Sequence, residues 1–304
     1  MKLANYYKNN LSSVGIVKEL SHNEKEWRLF DISKPSIGNT NFSSTDELLH
    51  GNFFTITKNL SDSPLQDRGV SLDKVRFASP VLNPEKIFLA ATNYVSHGEQ
   101  QKVPPPPEPY FFTKFRNAVI GHGDPILLPR VSKKVDWEVE LAVIIGKQGK
   151  YIQKNHAMEH VAGYTIANDI SFRDLQFPPG WPAKVSPFGH NWVKGKGLDT
   201  SLPLGPWLVT ADEIGDPHSL EISLFVNGVE RQKSSTNEMV FKIDALIEYL
   251  SNGITLKPGD IISTGTPLGP AAFSGVPYLK DGDIVEAKIE KIGTLRNPVK
   301  AEIS

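Results

Sequence analysis

Asp136-Trp137-Glu138-Val139-Glu140-Leu141-Ala142-Val143-Ile144-Ile145-Gly146 reads as a buried strand with acidic side chains on one face. Period-two geometry aims Asp136, Glu138 and Glu140 one way and Trp137, Val139 and Leu141 the other. Like charges crowded on a half-buried strand repel and lose hydration unless something cationic neutralises them. Alternation alone leaves two readings open, a bound divalent metal or a strand face in contact with solvent. Oxygen-only ligands favour a hard ion, Mg2+ first, with Mn2+ or Ca2+ as substitutes.

A second segment offers a further ligand. Val161-Ala162-Gly163-Tyr164-Thr165-Ile166-Ala167-Asn168-Asp169 is another small or β-branched apolar strand, and it ends in a carboxylate. Glu138, Glu140 and Asp169 together would leave about three octahedral positions for water and substrate. The alternative for Asp169 is a helix cap.

These segments belong to a longer collinear pattern. It takes in the stretch from 136 to 146, Gly163-Tyr164-Thr165 through Asp169 with Arg173-Asp174, and Lys196 before Leu198-Asp199-Thr200. It continues with Pro203-Leu204-Gly205-Pro206 and Gly259-Asp260-Ile261-Ile262-Ser263-Thr264-Gly265-Thr266-Pro267. Over about Lys86 to Val299 the chain resembles the fumarylacetoacetate hydrolase family, and within it the branch called fumarylacetoacetate hydrolase domain-containing protein 2. The resemblance implies an α+β, mostly β fold: a mixed β-roll with a metal in its mouth, held by Glu138, Glu140 and Asp169. It also implies a homodimer.

The rest of the chain agrees with an ordinary globular enzyme. At 304 residues with 39% hydrophobic content it can bury a full core. A formal charge of -1 without a long Lys/Arg run argues against nucleic acid or anionic membrane as the main partner, whereas a small acidic metabolite needs only a local basic pocket. No apolar run reaches membrane-spanning length, and the absence of cysteine excludes disulfides, thiolate metal sites and a cysteine nucleophile. Met1 to Lys8 lacks the apolar core of a signal peptide, so a cytoplasmic location is the expectation. Residues 1–80 read as short strands and turns of a small accessory domain. The boundary falls at Ser79-Pro80-Val81-Leu82-Asn83-Pro84, and 81–304 form the catalytic domain. Pro104 to Pro107 reads as a stiff connection, with a polyproline ligand as the alternative.

Asn227-Gly228 marks a tight hairpin, and Ile243, Leu246, Ile247 and Leu250 recur at helical spacing before Asn252-Gly253. His156 and His160 flank Glu159 without the spacing of the zinc-protease motif and read as residues of an ordinary helix.

The family places a His–Glu dyad on a lid, in the pattern Asn-Tyr-x-x-His-x-x-Glu. Here Asn93, Tyr94 and His97 match, but Gln100 stands where the dyad glutamate is expected. Glu99 is one position early, turned by about 100° on a helix. A carboxylate raises imidazole basicity, while a glutamine can only orient the ring. Without the resemblance, His97 would read as a surface histidine in a Gly-containing loop.

Around a chelated oxo-acid, Arg173 would clamp a carboxylate from the helix face it shares with Asp169, with Gln176 a turn further along. The resemblance puts Lys196 near the substrate's oxygens and Lys114 on the pocket wall, although a lone strand lysine more often snorkels to the surface. Thr266 offers a hydroxyl to a carboxylate. Catalytic roles therefore fall to His97, Glu99 and Lys196, and substrate binding to Tyr94, Lys114, Arg173, Gln176 and Thr266. The proline-rich stretch Phe177 to Pro187 is a candidate pocket wall or oligomer contact.

The implied chemistry is a metal-stabilised enolate of a 2-oxo or 1,3-dicarbonyl acid. Hydrolysis of the C–C bond of an acylpyruvate-like or fumarylacetoacetate-like substrate comes first. An isomerase, oxaloacetate tautomerase or decarboxylase would use the same site, and a non-catalytic metal or metabolite binder is the alternative from another class.

Overall fold

The computed structural model describes residues 1–20, 26–33, 42–62, 69–101, 104–177 and 191–303. Apart from Phe177, the proline-rich stretch to Pro187 lies outside them. Among the described residues an eleven-stranded sheet is organised around the strand Val139–Ile145. This strand pairs antiparallel with Val161–Asn168 on one side and Ile261–Ser263 on the other. Beyond Val161–Asn168 come Leu202–Thr210 and then Lys2–Lys8, Leu11–Glu19, Trp27–Asp31 and Val70–Ser71. Beyond Ile261–Ser263 come Ile87–Ala90, parallel to it, and Phe111–Thr113. The N-terminal strands thus extend the central sheet, through Lys2 opposite Val209 and Leu3 opposite Leu208. The mixed, mostly β, α+β class expected from the sequence is the class observed.

A second sheet of five strands runs in the order Val229–Ser235, Glu221–Val226, Ile284–Ile289, Gly293–Ala301 and Ile126–Leu128. The Asn227-Gly228 turn that starts it has both residues at positive φ, 52° and 76°, as a two-residue hairpin of this hand demands. The helix Ile243–Ser251 stops at Asn252, and Gly253 follows with φ 107°.

The large sheet divides the core. Leu141, Val143 and Ile145 pack on the side of Leu224, Val285 and Leu250, while Ala142 and Ile144 pack on the side of Leu3, Leu48 and Phe53. With both faces covered, the central strand must be apolar on both, at roughly 1.5–3 kcal/mol per fully buried aliphatic side chain. Gly163 permits the close approach of the neighbouring strands, since a Cβ there would lie 2.1 Å from the Val209 carbonyl oxygen.

The strand expected to run unbroken from Asp136 is in fact interrupted. Val135–Asp136 pairs with Ser171–Phe172 in a separate two-stranded ladder, and Trp137 and Glu138 lie between the two strands. Ladder pairing therefore lapses at Trp137 and Glu138 and resumes before Glu140, which pairs with Ala167. His156 and His160 lie on the 3-10 helix Lys154–His160, with His156 paired to Glu159 at 2.9 Å, rather than on an α-helix.

Candidate metal centre and active site

The interruption at Glu138 and the end of Val161–Asn168 bring three carboxylates together. Asn168 receives the Glu138 amide on its side-chain oxygen at 3.0 Å, and the Asp169 amide donates to the Glu138 carbonyl at 2.8 Å. Glu138, Glu140 and Asp169 consequently present oxygens that all lie within 4.8 Å of one another, and all three residues are buried. The second reading, a solvated strand face with Asp169 as a helix cap, does not hold.

Each carboxylate has a different set of partners. Glu138 is gripped at both oxygens, by Arg173 Nη2 at 2.5 Å and Lys196 Nζ at 2.7 Å. Asp169 pairs with Lys114 Nζ at 2.8 Å and Lys196 Nζ at 2.5 Å. Glu140 has only neutral donors, the Ser263 hydroxyl at 2.5 Å and the Gly265 amide at 3.0 Å. Burial alone would raise the Glu138 carboxyl, but Lys196 and Arg173 outweigh it and hold it well below the usual carboxylate range. Burial, reinforced by Asp169 and Glu138, pushes Glu140 well above that range. Asp169 is also raised, since burial exceeds the pull of Lys114 and Lys196. The cluster is short of positive charge, and the shortage is concentrated at Glu140.

Asp136 shares the acidic face but has another task. Its carboxylate accepts from Arg173 Nε at 2.8 Å and from the amides of Ala271 at 2.7 Å and Ala272 at 3.1 Å. It anchors Arg173 to the turn that carries Phe273. Arg173 begins the short helix Arg173–Gln176, and the strand Ser171–Phe172 separates it from Asp169, so the two do not share a helix face. The guanidinium reaches Asp136, Glu138 and Gln176 Oε1, the last at 3.0 Å.

The cleft above the carboxylates has a volume of about 60 Å³, and His97, Phe112, Arg173, Gln176, Trp192, Lys196, Thr266 and Phe273 are among its lining residues. Trp192 stacks on Phe112 with ring centroids 4.6 Å apart, and Phe273 meets the edge of His97 at 5.6 Å. The result is a charged floor under aromatic walls, and the low-dielectric walls strengthen every charge interaction at the floor. Burial lowers the His97 imidazole to about 4 against the opposing effect of Glu138, so the ring is neutral at pH 7 and able to accept a proton.

Three expected residues hold other places. Glu99 is the acidic residue of the helix Val95–Gln101, yet it is exposed and outside the cleft lining. Tyr94 is fully buried beside Glu140 and is not a lining residue; burial and the Glu140 charge raise its phenol. Lys114 sits behind the floor, donating to the carbonyls of Ile170 at 2.8 Å and Ser201 at 2.5 Å as well as pairing with Asp169. Burial brings its ammonium down to about 8. It positions Asp169 and does not face the cleft.

Thr266 lines the cleft, but its hydroxyl donates to the Val139 carbonyl at 2.8 Å, so its proton is committed there. Gln100 donates to Ser274 Oγ at 3.2 Å and accepts from the Gly269 amide at 3.1 Å, tying the His97 helix to the Phe273 turn. Of the aromatic walls, sequence reasoning marked only Phe177, which does line the cleft; Phe112, Trp192 and Phe273 come from three segments with no common pattern. The Asp136 anchor was visible as a face partner but not as a support for Arg173.

The donor set fits a hard divalent cation. It consists of oxygen alone, two of its three carboxyls stay raised despite nearby lysines, and no cysteine exists to compete. No helix among the described residues is long and apolar enough to cross a membrane.

Comparison with known proteins shows the family. Residues 86–300 match the family described as fumarylacetoacetate (FAA) hydrolase C-terminal. The chain is 48% identical over 231 residues to the protein named oxaloacetate tautomerase fahd2, mitochondrial, of Xenopus laevis, covering 76% of this chain and 70% of that one. It is 47% identical over 227 residues to fumarylacetoacetate hydrolase domain-containing protein 2 of Pongo abelii, covering 74% and 70%. Among solved structures, 2-hydroxyhepta-2,4-diene-1,7-dioate isomerase from Mycobacterium marinum superimposes with a TM-score of 0.75 at 31% identity over the whole of both chains.

Proposed function

Since the chain belongs to the fumarylacetoacetate hydrolase family, a family of hydrolases and isomerases, we propose that it is a Mg2+-dependent tautomerase of a small 2-oxo dicarboxylic acid of the oxaloacetate type. The observation that carries this reading is the pairing of the buried Glu138–Glu140–Asp169 cluster with a neutral His97, whose helix offers no inward carboxylate. Water activation for C–C cleavage needs a base strengthened by such a carboxylate. A proton shuttle needs only an imidazole that is neutral at working pH.

Charge supports an anionic substrate. Four carboxylates, Asp136, Glu138, Glu140 and Asp169, face three cations, Lys114, Arg173 and Lys196. With all four carboxylates ionised, as ligation of a metal by Glu140 and Asp169 requires, a divalent ion turns an excess of one negative charge into an excess of one positive charge. When bound by Glu138, Glu140 and Asp169, Mg2+ would act as a Lewis acid toward the 2-oxo oxygen and the adjacent carboxylate.

The chain's own groups supply the rest. Arg173 and Lys196 stand beside Glu138 and orient the substrate carboxylates. An imidazole nitrogen of His97 takes the enol hydroxyl proton and a proton is returned at C3, so no atom is gained or lost between enol and ketone. Phe112, Trp192 and Phe273 keep bulk water from the exchanging proton.

The deciding assay follows ultraviolet absorbance of EDTA-stripped protein, with and without Mg2+, on enol-oxaloacetate and on acylpyruvates. Mg2+-dependent loss of the enol without new fragments supports the tautomerase. Mg2+-dependent cleavage of acylpyruvates establishes the hydrolase instead. A homodimer belongs to the same proposal and is read by light scattering. The cytoplasmic location expected from composition differs from the mitochondrial label of the Xenopus laevis relative, and cell fractionation distinguishes them.

A further inference from the structure

The strand Val229–Ser235 is an edge strand of the small sheet, and Gln232 is its buried residue, with 1% of its surface exposed. A polar side chain at the inward position of an edge strand is costly unless every polar atom is used. Here they are. Gln232 Oε1 accepts the Val139 amide at 3.0 Å, and Nε2 donates to Thr266 Oγ1 at 2.9 Å, to the Pro267 carbonyl at 3.0 Å and, at 3.5 Å, to the Leu268 carbonyl. Val139 lies between the candidate ligands Glu138 and Glu140, and Thr266 lines the cleft.

The backbone supports the same junction. The pairing of Glu221–Val226 with Val229–Ser235 shifts register so that Leu224 faces Gln232 and Phe225 faces Glu230, leaving Arg231 as the extra residue of a bulge. Bulges re-aim side chains beside functional sites. Against this bulge lies Gly269, with φ 116°, where a Cβ would sit 2.2 Å from the Arg231 carbonyl oxygen. The bulge, the glycine and the amide fix one spacing, that between the ligand-bearing strand and the turn Gly265-Thr266-Pro267.

We propose that Gln232 is a positioning residue of the active site, holding Glu138, Glu140 and the Thr266 turn in the register that the metal and substrate require. The inference rests on the reading of the carboxylates as a metal site, so its test reads metal binding apart from turnover. Full-length wild type and Gln232→Met are compared by Mn2+ titration with electron paramagnetic resonance, by steady-state kinetics on enol-oxaloacetate, and by near-ultraviolet circular dichroism for the folded fraction.

The expected result for Gln232→Met is a Mn2+ Kd raised about 10-fold or more per folded molecule, the scale on which groups supporting metal ligands act, with kcat/KM lowered to match. A Gln232→Met/Thr266→Val double variant should be little worse than the worse single one, because both sever one link. Unchanged Mn2+ affinity in the folded variant, or additive losses in the double one, would overturn the proposal and leave Gln232 a packing residue. Should Gln232→Met not fold, Gln232→Asn, which keeps the amide but falls one methylene short, carries the same comparison with the same two outcomes. Wild type that binds Mn2+ without turning over the enol refutes the proposed reaction while the affinity comparison still tests Gln232; wild type that binds no Mn2+ overturns both.

Discussion

The two ends of the segment from Asp136 to Ile145 are buried to the same degree and are built from opposite materials. From Leu141 onward the side chains are apolar on both faces and the peptides pair with strands on both sides. From Asp136 to Glu140 the alternate side chains are carboxylates, and the ladder is interrupted at Trp137 and Glu138. The apolar half gains free energy from exclusion of water. The acidic half survives the same exclusion only because Arg173, Lys196, the Ser263 hydroxyl and backbone amides converge on it. Buried charge of this kind is weak evidence for stability and stronger evidence for chemistry.

The contrast can be broken first at Glu140, the carboxylate whose partners are all neutral. Glu140→Gln removes a ligand without stranding a buried cation, so turnover and Mn2+ binding should fall together by about 10³ or more while the melting temperature holds or rises. Retained Mn2+ binding would remove Glu140 from the centre. In the apolar half, Leu141→Ala should cost about 3 kcal/mol of unfolding free energy in urea, with Mn2+ affinity of the folded protein unchanged. A loss of affinity without loss of stability would mean that the two halves are not separable.

His97→Ala sharpens the difference between holding and reacting. Turnover should drop about 10²-fold with Mn2+ affinity intact, on the scale of a lost general base. Arg173→Lys keeps a charge but loses the fork that spans Asp136 and Glu138, and kcat/KM should fall about tenfold. Glu99→Gln is expected to change neither rate nor stability by more than roughly 0.5 kcal/mol, as for exposed residues without partners in the site. A large loss of acylpyruvate cleavage in this variant would restore Glu99 as the partner of His97.

Much of the site was legible because the three candidate carboxylates lie within or directly beside two strands, Glu140 inside Val139–Ile145, Glu138 just before it and Asp169 just after Val161–Asn168, where period-two geometry is a local property. The failures were equally local in origin. Arg173 was placed on a helix face with Asp169 by counting four residues, but a short strand intervenes and the side chain approaches from another direction. Lys114 reads as a pocket lysine until the carbonyls of Ile170 and Ser201 are seen to accept its hydrogen bonds. Thr266 reads as a free hydroxyl until Val139 is found 127 residues away in sequence, accepting its hydrogen bond.

The sequence by itself determined the mixed β class and the apolar strand at its centre, and it marked Glu138, Glu140 and Asp169 as candidate ligands of a hard cation, with the family resemblance deciding between that reading and a solvated face. Alternation and ligand chemistry act over a few residues, whereas the resemblance draws on the collinear pattern from Lys86 to Val299. Only the tertiary structure decided which cation meets which carboxylate, that Glu140 is left short of charge, that Glu99 is exposed outside the cleft, and that an edge-strand glutamine joins the strand bearing Glu140 to the Thr266 turn. Such outcomes depend on distances between segments far apart in the chain, and hydrogen bonds and ion pairs are won or lost within about 1 Å.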